Sequence, residues 1–412
     1  MSTSDNRFAK KPLSAPGGRE GEERAVEILD RLVAFDTISA NSNLALIDWI
    51  GDYLGGFGIA SERSSSRAGK ANLFATIGPA GRGGVVLSGH TDVVPVAGQQ
   101  WDSDPFRLSE RDGRLYGRGS ADMKGFIALV LAFVPEMVRR RVATPLHLAF
   151  THDEESGCFG APALIAALPQ GTARPRLAII GEPTSMQVAN AQKGCCFFRT
   201  KIGGREGHSS APEHGVNAIF AAAEIIGEIG RLASEAQAGA RPDSRFDPPY
   251  TTLSVGTIGG GAAVNIIARD CAFEWDLRSL PDDDPEALKT RIDAFIAGNL
   301  LPRMRASYSG ASVETETVVA VPPLVPVADS PAEALARRLT GANTTRTVSF
   351  ASEAGLYQRA GIPAVVCGPG SISVAHQPNE YITRDELAAG ADFLDRLIAW
   401  AERGDTLPSP PI

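Results

Sequence analysis

Apolar residues follow two patterns along the first half of the chain, and the two patterns alternate. Short apolar runs predict buried strands, and longer segments with apolar residues three or four positions apart predict helices. The alternation predicts an α/β domain. The predicted strands are Asn72–Ile77, Gly84–Ser88, Leu146–Thr151 and Leu177–Gly181, and the predicted helices are Glu20–Phe35, Asn43–Phe57 and Met123–Val134.

The middle of the chain follows a different order, strand-helix-strand-strand-helix-strand, which is typical of a split βαβ sandwich. Its predicted elements are strand 195–202, helix 216–236, strands 252–258 and 271–279, helix 284–297 and strand 311–318. The α/β pattern then resumes with helices 331–339, 355–360 and 384–403 and a strand at 363–367.

We therefore predict an α/β domain with a mixed sheet, interrupted by an inserted ferredoxin-like α+β domain. The first part of the α/β domain covers residues 1–194, the insertion covers 195–315, and the second part covers 316–412. Residues 1–19 and 408–412 are expected to be flexible.

Composition excludes several classes of protein. Hydrophobic residues make up 43% of the 412 residues, which excludes a mainly disordered chain. The formal net charge of −8 argues against nucleic-acid and anionic-membrane partners, because phosphate contacts need clustered Lys and Arg.

Cysteine content and hydropathy indicate the cellular compartment. Five cysteines without a CxxC pair predict neither a disulfide framework nor a thiolate zinc site, and they favour a reducing cytoplasm. No apolar run reaches the length of a membrane span, and the polar start predicts no secretory signal.

Potential metal ligands follow the predicted strands. His90 and Asp92 come after the second strand, Glu154 and Glu155 after the third, and Glu182 after the fourth. His376 lies a short turn beyond the last strand, and Asp122 opens the apolar helix. In α/β sheets, ligands collect at the carboxyl ends of the strands, so these side chains are expected to meet there.

Each residue also has a structural interpretation. Asp122 alone could be a helix N-cap, the Glu154–Glu155 pair could belong to a solvated loop, and a single histidine could be a core or surface residue. Taken together, their placement favours a metal site. A set of His, Asp and Glu without Cys suits Zn, Mn or Co.

The number of candidate ligands favours two metals. Two histidines with three of these carboxylates are already too many ligands for one open catalytic zinc, but a bridging carboxylate can hold two metals about 3.5–4 Å apart. One acidic residue would then remain free to act as the general base.

Five segments carry a family resemblance, which extends over roughly residues 20–402. The segments are SGHTDVVP (88–95), GRGSADMKG (117–125), DEESG (153–157), GEPT (181–184) and AHQPNEY (375–381). Together they resemble the M20 family of di-zinc metallopeptidases and deacylases, and within it the acetylornithine deacetylases. Weaker similarity to that subfamily occurs in KGCCFFR (193–199), GHSSAPEHGVNAI (207–219), FDPPYTTL (246–253) and SFASEAGLYQRAGIP (349–363).

The resemblance implies a role for each residue of the metal motifs. His90 and Glu182 would bind one metal, Glu155 and His376 would bind the other, and Asp122 would bridge the two. Glu154 would be the general base. Asp92 would be the outer carboxylate that fixes the tautomer of the neighbouring imidazole; an Asx-turn is the alternative for this residue.

The resemblance also implies roles outside the metal motifs. The insertion would be a lid and dimerisation domain of a homodimer, in which His208 reaches the neighbouring subunit's active site and stabilises the oxyanion. Asn265 and Arg278 would hold the substrate carboxylate, and Glu353 would bind an ammonium group. The alternatives are a surface loop for His208, a strand salt bridge for Arg278 and a helix cap for Glu353.

These roles imply a zinc-dependent amidohydrolase, with two Zn²⁺ that Co²⁺ or Mn²⁺ could replace. The expected reaction converts N2-acetyl-L-ornithine to L-ornithine and acetate in arginine biosynthesis. Other M20 activities are the nearest alternatives: succinyl-diaminopimelate desuccinylase, N-acylamino acid deacylase or dipeptidase. A non-catalytic dimeric binding protein is a further one.

Overall fold

The structure is a computed structural model that describes residues 18–65 and 67–404. Most of the segments expected to be flexible, residues 1–17 and 408–412, lie outside the described residues, whereas Gly18 and Arg19 begin the first helix.

The described residues form strands and α-helices in mixed order. The strands are β1 (Ser61–Ser64), β2 (Asn72–Ile77), β3 (Val85–His90), β4 (Ser109–Arg111), β5 (Arg114–Tyr116), β6 (Leu146–Thr151), β7 (Leu177–Pro183), β8 (Ala189–Gln192), β9 (Cys195–Gly203), β10 (Thr252–Gly260), β11 (Asp270–Arg278), β12 (Ser312–Val321), β13 (Arg346–Val348), β14 (Ala364–Gly368) and β15 (Tyr381–Thr383). The helices are α1 (Gly18–Val33), α2 (Leu44–Gly55), α3 (Gly125–Ala132), α4 (Val134–Arg139), α5 (Ala161–Ala167), α6 (Ala218–Ala238), α7 (Pro285–Phe295), α8 (Leu301–Ser307), α9 (Pro331–Thr340), α10 (Ala354–Arg359) and α11 (Arg384–Arg403).

The chain divides into two compact units. The first contains the described residues up to Asn190, residues 326–346 and the described residues from Ser352 onward. The second contains residues 191–325 and 347–351. The domain boundaries expected from the sequence stay a prediction.

An eight-stranded mixed sheet organises the first unit, as expected for its fold class. The strand order is β1-β2-β6-β3-β7-β14-β8-β13, and β8 and β13 contain residues from both sides of the division between units. Strands β6, β3, β7 and β14 are parallel neighbours, whereas β1, β2 and β8 pair antiparallel. The carboxyl ends of the four parallel strands therefore meet at one edge of the sheet.

The sequences of the parallel strands are continuous apolar runs because these strands are buried on both faces. Every residue of β3, β6, β7 and β14 is buried, and α1, α3 and α11 pack together within the same core. The helix predicted at 123–134 is shorter in the structure, where it spans Gly125–Ala132. It starts at Gly125, and a separate helix follows whose first turn contains Pro135, a residue that cannot donate the next helical hydrogen bond.

The second unit contains a four-stranded antiparallel sheet in the order β10-β11-β9-β12. Helix α6 joins β9 to β10, and α7 lies between β11 and β12, so the β-α-β-β-α-β order is present. Phe198 and Trp275 stack at 4.1 Å between ring centroids in its core, with Ile225 and Ile229 of α6. A lid or dimerisation role for this unit stays a prediction.

Two expectations from composition can be compared with the structure. The five cysteines are all buried and form no disulfide. Among the described helices, none combines the length and apolar character needed to cross a bilayer.

The close packing of α3 against β7 generates a prediction. A Cβ added to Gly181 would collide with the buried Phe126 ring, so Gly181→Ala should destabilise the protein by about 1–3 kcal/mol. Chemical denaturation of the metal-free protein measures the loss. Gly55→Ala is the control, because nothing lies within 4 Å of the added atom. Equal stability of the two variants would contradict this packing.

Candidate metal centre

The parallel strands bring the predicted ligands of the first unit together. His90 is the last residue of β3, and Glu182 lies near the end of the neighbouring β7. The His90 Nε2 atom is 3.9 Å from Glu182 Oε1. Both side chains are almost fully buried, so this edge of the sheet places an imidazole beside a carboxylate with little access to water.

Asp122 presents one carboxylate oxygen to each histidine. Its Oδ1 lies 3.1 Å from His90 Nε2, and its Oδ2 lies 3.2 Å from His376 Nε2. Asp122 belongs to an irregular turn, Ser120–Lys124, where its φ of −123° and ψ of 92° are not helical. This backbone turns the carboxylate between the two imidazoles, which is the arrangement a bridging ligand requires.

Glu155 completes the side nearer His376. It follows β6, and its Oε2 lies 3.1 Å from His376 Nε2. The His376 side chain is half exposed, whereas those of Asp122 and Glu155 are nearly buried. The cluster therefore has one enclosed side at His90 and one side open to solvent at His376.

The donor atoms suit divalent cations. Two groups of residues converge within 4.8 Å: His90, Glu154 and Glu182 in one, and His90, Asp122 and Glu155 in the other. Among the described residues, the buried oxygens without a hydrogen-bond partner include Oε1 of Glu155 and Oε1 of Glu182. Such oxygens are free to coordinate a hard or borderline cation, and none of these ligands is a thiolate.

Burial and the crowding of ionisable groups shift the pKa values within the cluster. Burial raises the pKa of Glu182 well above its usual value, and Asp122 raises it further. Burial also raises the pKa of Glu155 to about 7, with a further contribution from Asp122. Hydrogen bonds to Asp122 and Glu155 raise the pKa of His376 to about 10. Carboxylates packed this closely repel one another in their charged forms, and bound cations would neutralise them.

Glu154 lies beside the cluster and is held by its neighbours. Burial raises its pKa well above the usual value, and the adjacent carboxylate of Glu155 contributes. The Cys158 thiol donates a hydrogen bond to Glu154 Oε1 at 3.4 Å, which leaves the other oxygen available. An available carboxylate oxygen with a raised pKa is suited to accepting a proton.

Asp92 contacts both His90 and the loop that carries Glu154 and Glu155. Its backbone oxygen lies 2.9 Å from His90 Nδ1, closer than its carboxylate at 3.6 Å. The carboxylate accepts hydrogen bonds from the backbone N–H groups of Glu154 and Glu155 and from Ser39 Oγ. Asp92 thus orients the imidazole chiefly through its backbone and holds the following loop through its side chain.

Three predicted site residues lie in the second unit. The exposed His208 forms a bridge with Ile266, and the Ser209 N–H donates to the Asn265 carbonyl, so the segments of His208 and Asn265 lie side by side. Arg278 ends β11, where its Nε donates to Asp276 at 3.0 Å. Their roles toward a substrate stay predictions.

Glu353 lies in the first unit at the N-cap position of α10, but its side chain makes no capping hydrogen bond. The side chain is buried, and Ser88 Oγ donates to its Oε2 at 2.9 Å. Ser88 is two residues before His90 on β3, so the Glu353 carboxyl lies near this predicted metal ligand. Its predicted role toward an ammonium group stays a prediction.

Comparison with known proteins identifies the family. The family model described as "Peptidase family M20/M25/M40" matches residues 86–400. The chain belongs to this family. It is therefore a hydrolase that acts on amide bonds.

Full-length relatives and a solved structure agree with this assignment. The M20 chain is 36% identical to an acetylornithine deacetylase of Proteus mirabilis over 90% of this chain and 95% of that one. It is 37% identical to an acetylornithine deacetylase of Myxococcus xanthus over 90% and 96% of the two chains. A Bacillus subtilis protein described as a dinuclear metal binding peptidase of the M20 family has the same fold, with a TM-score of 0.63, 18% identity, and coverage of 92% and 98%.

The position of Asp122 generates a prediction about metal binding. Asp122→Ala should remove an oxygen from both sides of the cluster and lower the bound metal below that of any other single-ligand variant. Metal analysis after dialysis against trace zinc measures this loss. Asp395→Ala is the control, because Asp395 pairs with Arg140 on the surface. Equal metal content in Asp122→Ala and the unchanged protein would contradict the bridging role.

Proposed function

We propose that this M20 hydrolase removes the acetyl group from N2-acetyl-L-ornithine, releasing L-ornithine and acetate, as a step of arginine biosynthesis. Two Zn²⁺ ions are the proposed cofactors. His90 and Glu182 would hold one ion, Glu155 and His376 would hold the other, and Asp122 would contribute to both sides.

The observation that carries the proposal is the placement of the Asp122 carboxylate between two imidazoles. A single structural ion would not need oxygens aimed at two separate histidines, whereas a pair of hydrolytic metals does. Similarity to acetylornithine deacetylases over nine-tenths of the chain supports the choice of substrate.

The protein's own residues provide the proton transfers. When bound, the metal pair would lower the pKa of a water molecule and polarise the amide carbonyl. Glu154 accepts the proton of that water at its free oxygen while Cys158 holds the other oxygen. The oxygen of that water bonds to the carbonyl carbon, and Glu154 delivers the proton to the amine nitrogen as the C–N bond breaks. Acetate and the free amine are released, so one carboxylate acts first as base and then as acid.

Residues of the second unit complete the proposed mechanism. His208 stabilises the oxyanion in the neighbouring subunit of a homodimer, and Asn265 and Arg278 hold the α-carboxylate of the substrate. A guanidinium is suited to this task because it can donate two parallel hydrogen bonds to a carboxylate.

The role of Glu154 can be tested separately from metal binding. Glu154→Gln should keep the metal content of the parent and lose turnover by about 10²–10⁴-fold, because the amide cannot accept the proton. Steady-state kinetics with parallel metal analysis measures both quantities. Glu402→Gln, which alters a surface pair with Arg140, is the control. Near-parental turnover of Glu154→Gln would exclude it as the base.

The substrate is tested with a panel of N-acyl amino acids, read by amine release. N2-acetyl-L-norvaline keeps the carbon chain of acetylornithine but lacks the ammonium. If the site binds that ammonium through a charged hydrogen bond, kcat/KM should be roughly 10- to 150-fold higher for acetylornithine. A preference for N-succinyl-diaminopimelate, for an acetylamino acid with an uncharged side chain or for a dipeptide would replace the proposed substrate with that alternative.

A further inference from the structure

The backbone of the turn that carries Asp122 is irregular. Gly119 has a φ of 81°, and the backbone of Asp122 and Met123 is not helical. Backbone N–H groups in such a buried turn need partners from elsewhere, because each unpaired buried group costs free energy.

Glu380 supplies these partners. Its Oε1 accepts hydrogen bonds from the N–H groups of Ala121 at 2.9 Å and Asp122 at 3.0 Å. Its Oε2 accepts from the N–H of Gly119 at 3.1 Å and from Arg118 at 2.7 Å. Glu380 is 1% exposed, so both oxygens are fully committed to this turn.

The same network reaches the second histidine. Arg118 is buried and also donates to the side-chain oxygen of Gln99 and to the Gln377 carbonyl. The Gln99 Nε2 donates to the His376 carbonyl at 2.8 Å. His376 has a φ of 62°, a left-handed conformation that non-glycine residues seldom adopt without support.

We propose that Glu380 is a positioning residue for the metal pair, which holds Asp122 through the backbone of its turn and His376 through Arg118 and Gln99. The proposal rests on the metal centre of the proposed function. Glu380 contacts neither metal nor substrate in this account. Glu380 sets the distance between Asp122 and His376. Its carboxylate is hydrogen-bonded to the turn that carries Asp122 and is linked, through Arg118 and Gln99, to the loop that carries His376.

The arrangement is more than the neutralisation of a buried arginine. A partner for Arg118 needs only one carboxylate oxygen, whereas three of the four hydrogen bonds to the Glu380 side chain come from the backbone that surrounds Asp122. The N–H of Asp122 itself is one of the donors. A shift of Glu380 therefore moves the bridging ligand directly.

Glu380→Gln tests the proposal. The introduced amide would turn an N–H group toward backbone or guanidinium N–H groups, whichever way it is oriented. Zinc affinity, measured by chelator competition, should fall about 10–100-fold, as is usual for the loss of an outer partner of a ligand. The visible absorption spectrum of the Co²⁺ form should also change. Glu136→Gln is the matched control, because the buried Glu136 pairs with Arg139 and is not among the residues of the cluster.

Gln99→Leu is a second variant at a partly exposed position, in case Glu380→Gln fails to fold. It removes the hydrogen bond to the His376 carbonyl and should weaken zinc binding less than Glu380→Gln does. The unfolding midpoint of each metal-free variant is measured in parallel, so that a loss of stability is separated from a loss of metal affinity.

The possible outcomes are distinct. Weakened metal binding in both variants, with parental binding in Glu136→Gln, supports the proposal. If the Glu380→Gln protein folds and has the zinc affinity and the cobalt spectrum of the parent, the network is only structural and the proposal is wrong. If Glu380→Gln does not fold, the same result for a folded Gln99→Leu protein leads to the same conclusion. If the unchanged protein itself binds no zinc, the proposed function fails first.

Discussion

The repulsion among buried carboxylates is the constraint on which the rest of this structure depends. Asp122, Glu155 and Glu182 converge with Glu154 on two imidazoles, and burial together with neighbouring carboxylates raises the pKa of each of the three glutamates. A protein holds such a cluster together only if cations balance it or if the surrounding structure forces it. The donor set suits divalent cations, and the closely packed sheet gives the surrounding structure the rigidity to hold the carboxylates together.

The sheet provides that rigidity. Four parallel, fully buried strands end at one edge, and their close packing leaves the residues at their ends little freedom. The elements that are not strands need other support. The turn of Asp122 depends on hydrogen bonds to Glu380, and the loop of His376 depends on Gln99. The site thus combines side chains from the regular sheet with side chains from two irregular segments, the turn of Asp122 and the loop of His376. The buried ion pair of Arg118 and Glu380 connects these two segments.

Much of this architecture was accessible from the sequence. Apolar runs followed by His, Asp and Glu predicted the strands and the convergence of His90 and Glu182, because parallel strands share a carboxyl edge. The mixed sheet is confirmed, and so is membership of the M20 family. The roles of individual side chains toward metals and substrate stay predictions.

Other features could not be predicted because they depend on contacts between distant segments. The resemblance implied that the Asp92 carboxylate fixes the tautomer of His90, and this role stays a prediction; in the structure the backbone oxygen of Asp92 also lies 2.9 Å from His90 Nδ1. Glu380 and Arg118 lay within the recognised motifs, yet their pairing joins residues far apart in the chain. Arg118 lies in a glycine-rich segment, and its role in this pair becomes clear only when its burial is known.

The central claim is that Asp122 stands between two metal ions. A crystal structure with anomalous diffraction measured at the zinc absorption edge tests it most directly. Two anomalous peaks are expected, one beside His90 and Glu182 and one beside Glu155 and His376, with an Asp122 oxygen directed at each. A single peak, or peaks that leave Asp122 uncoordinated, would contradict it.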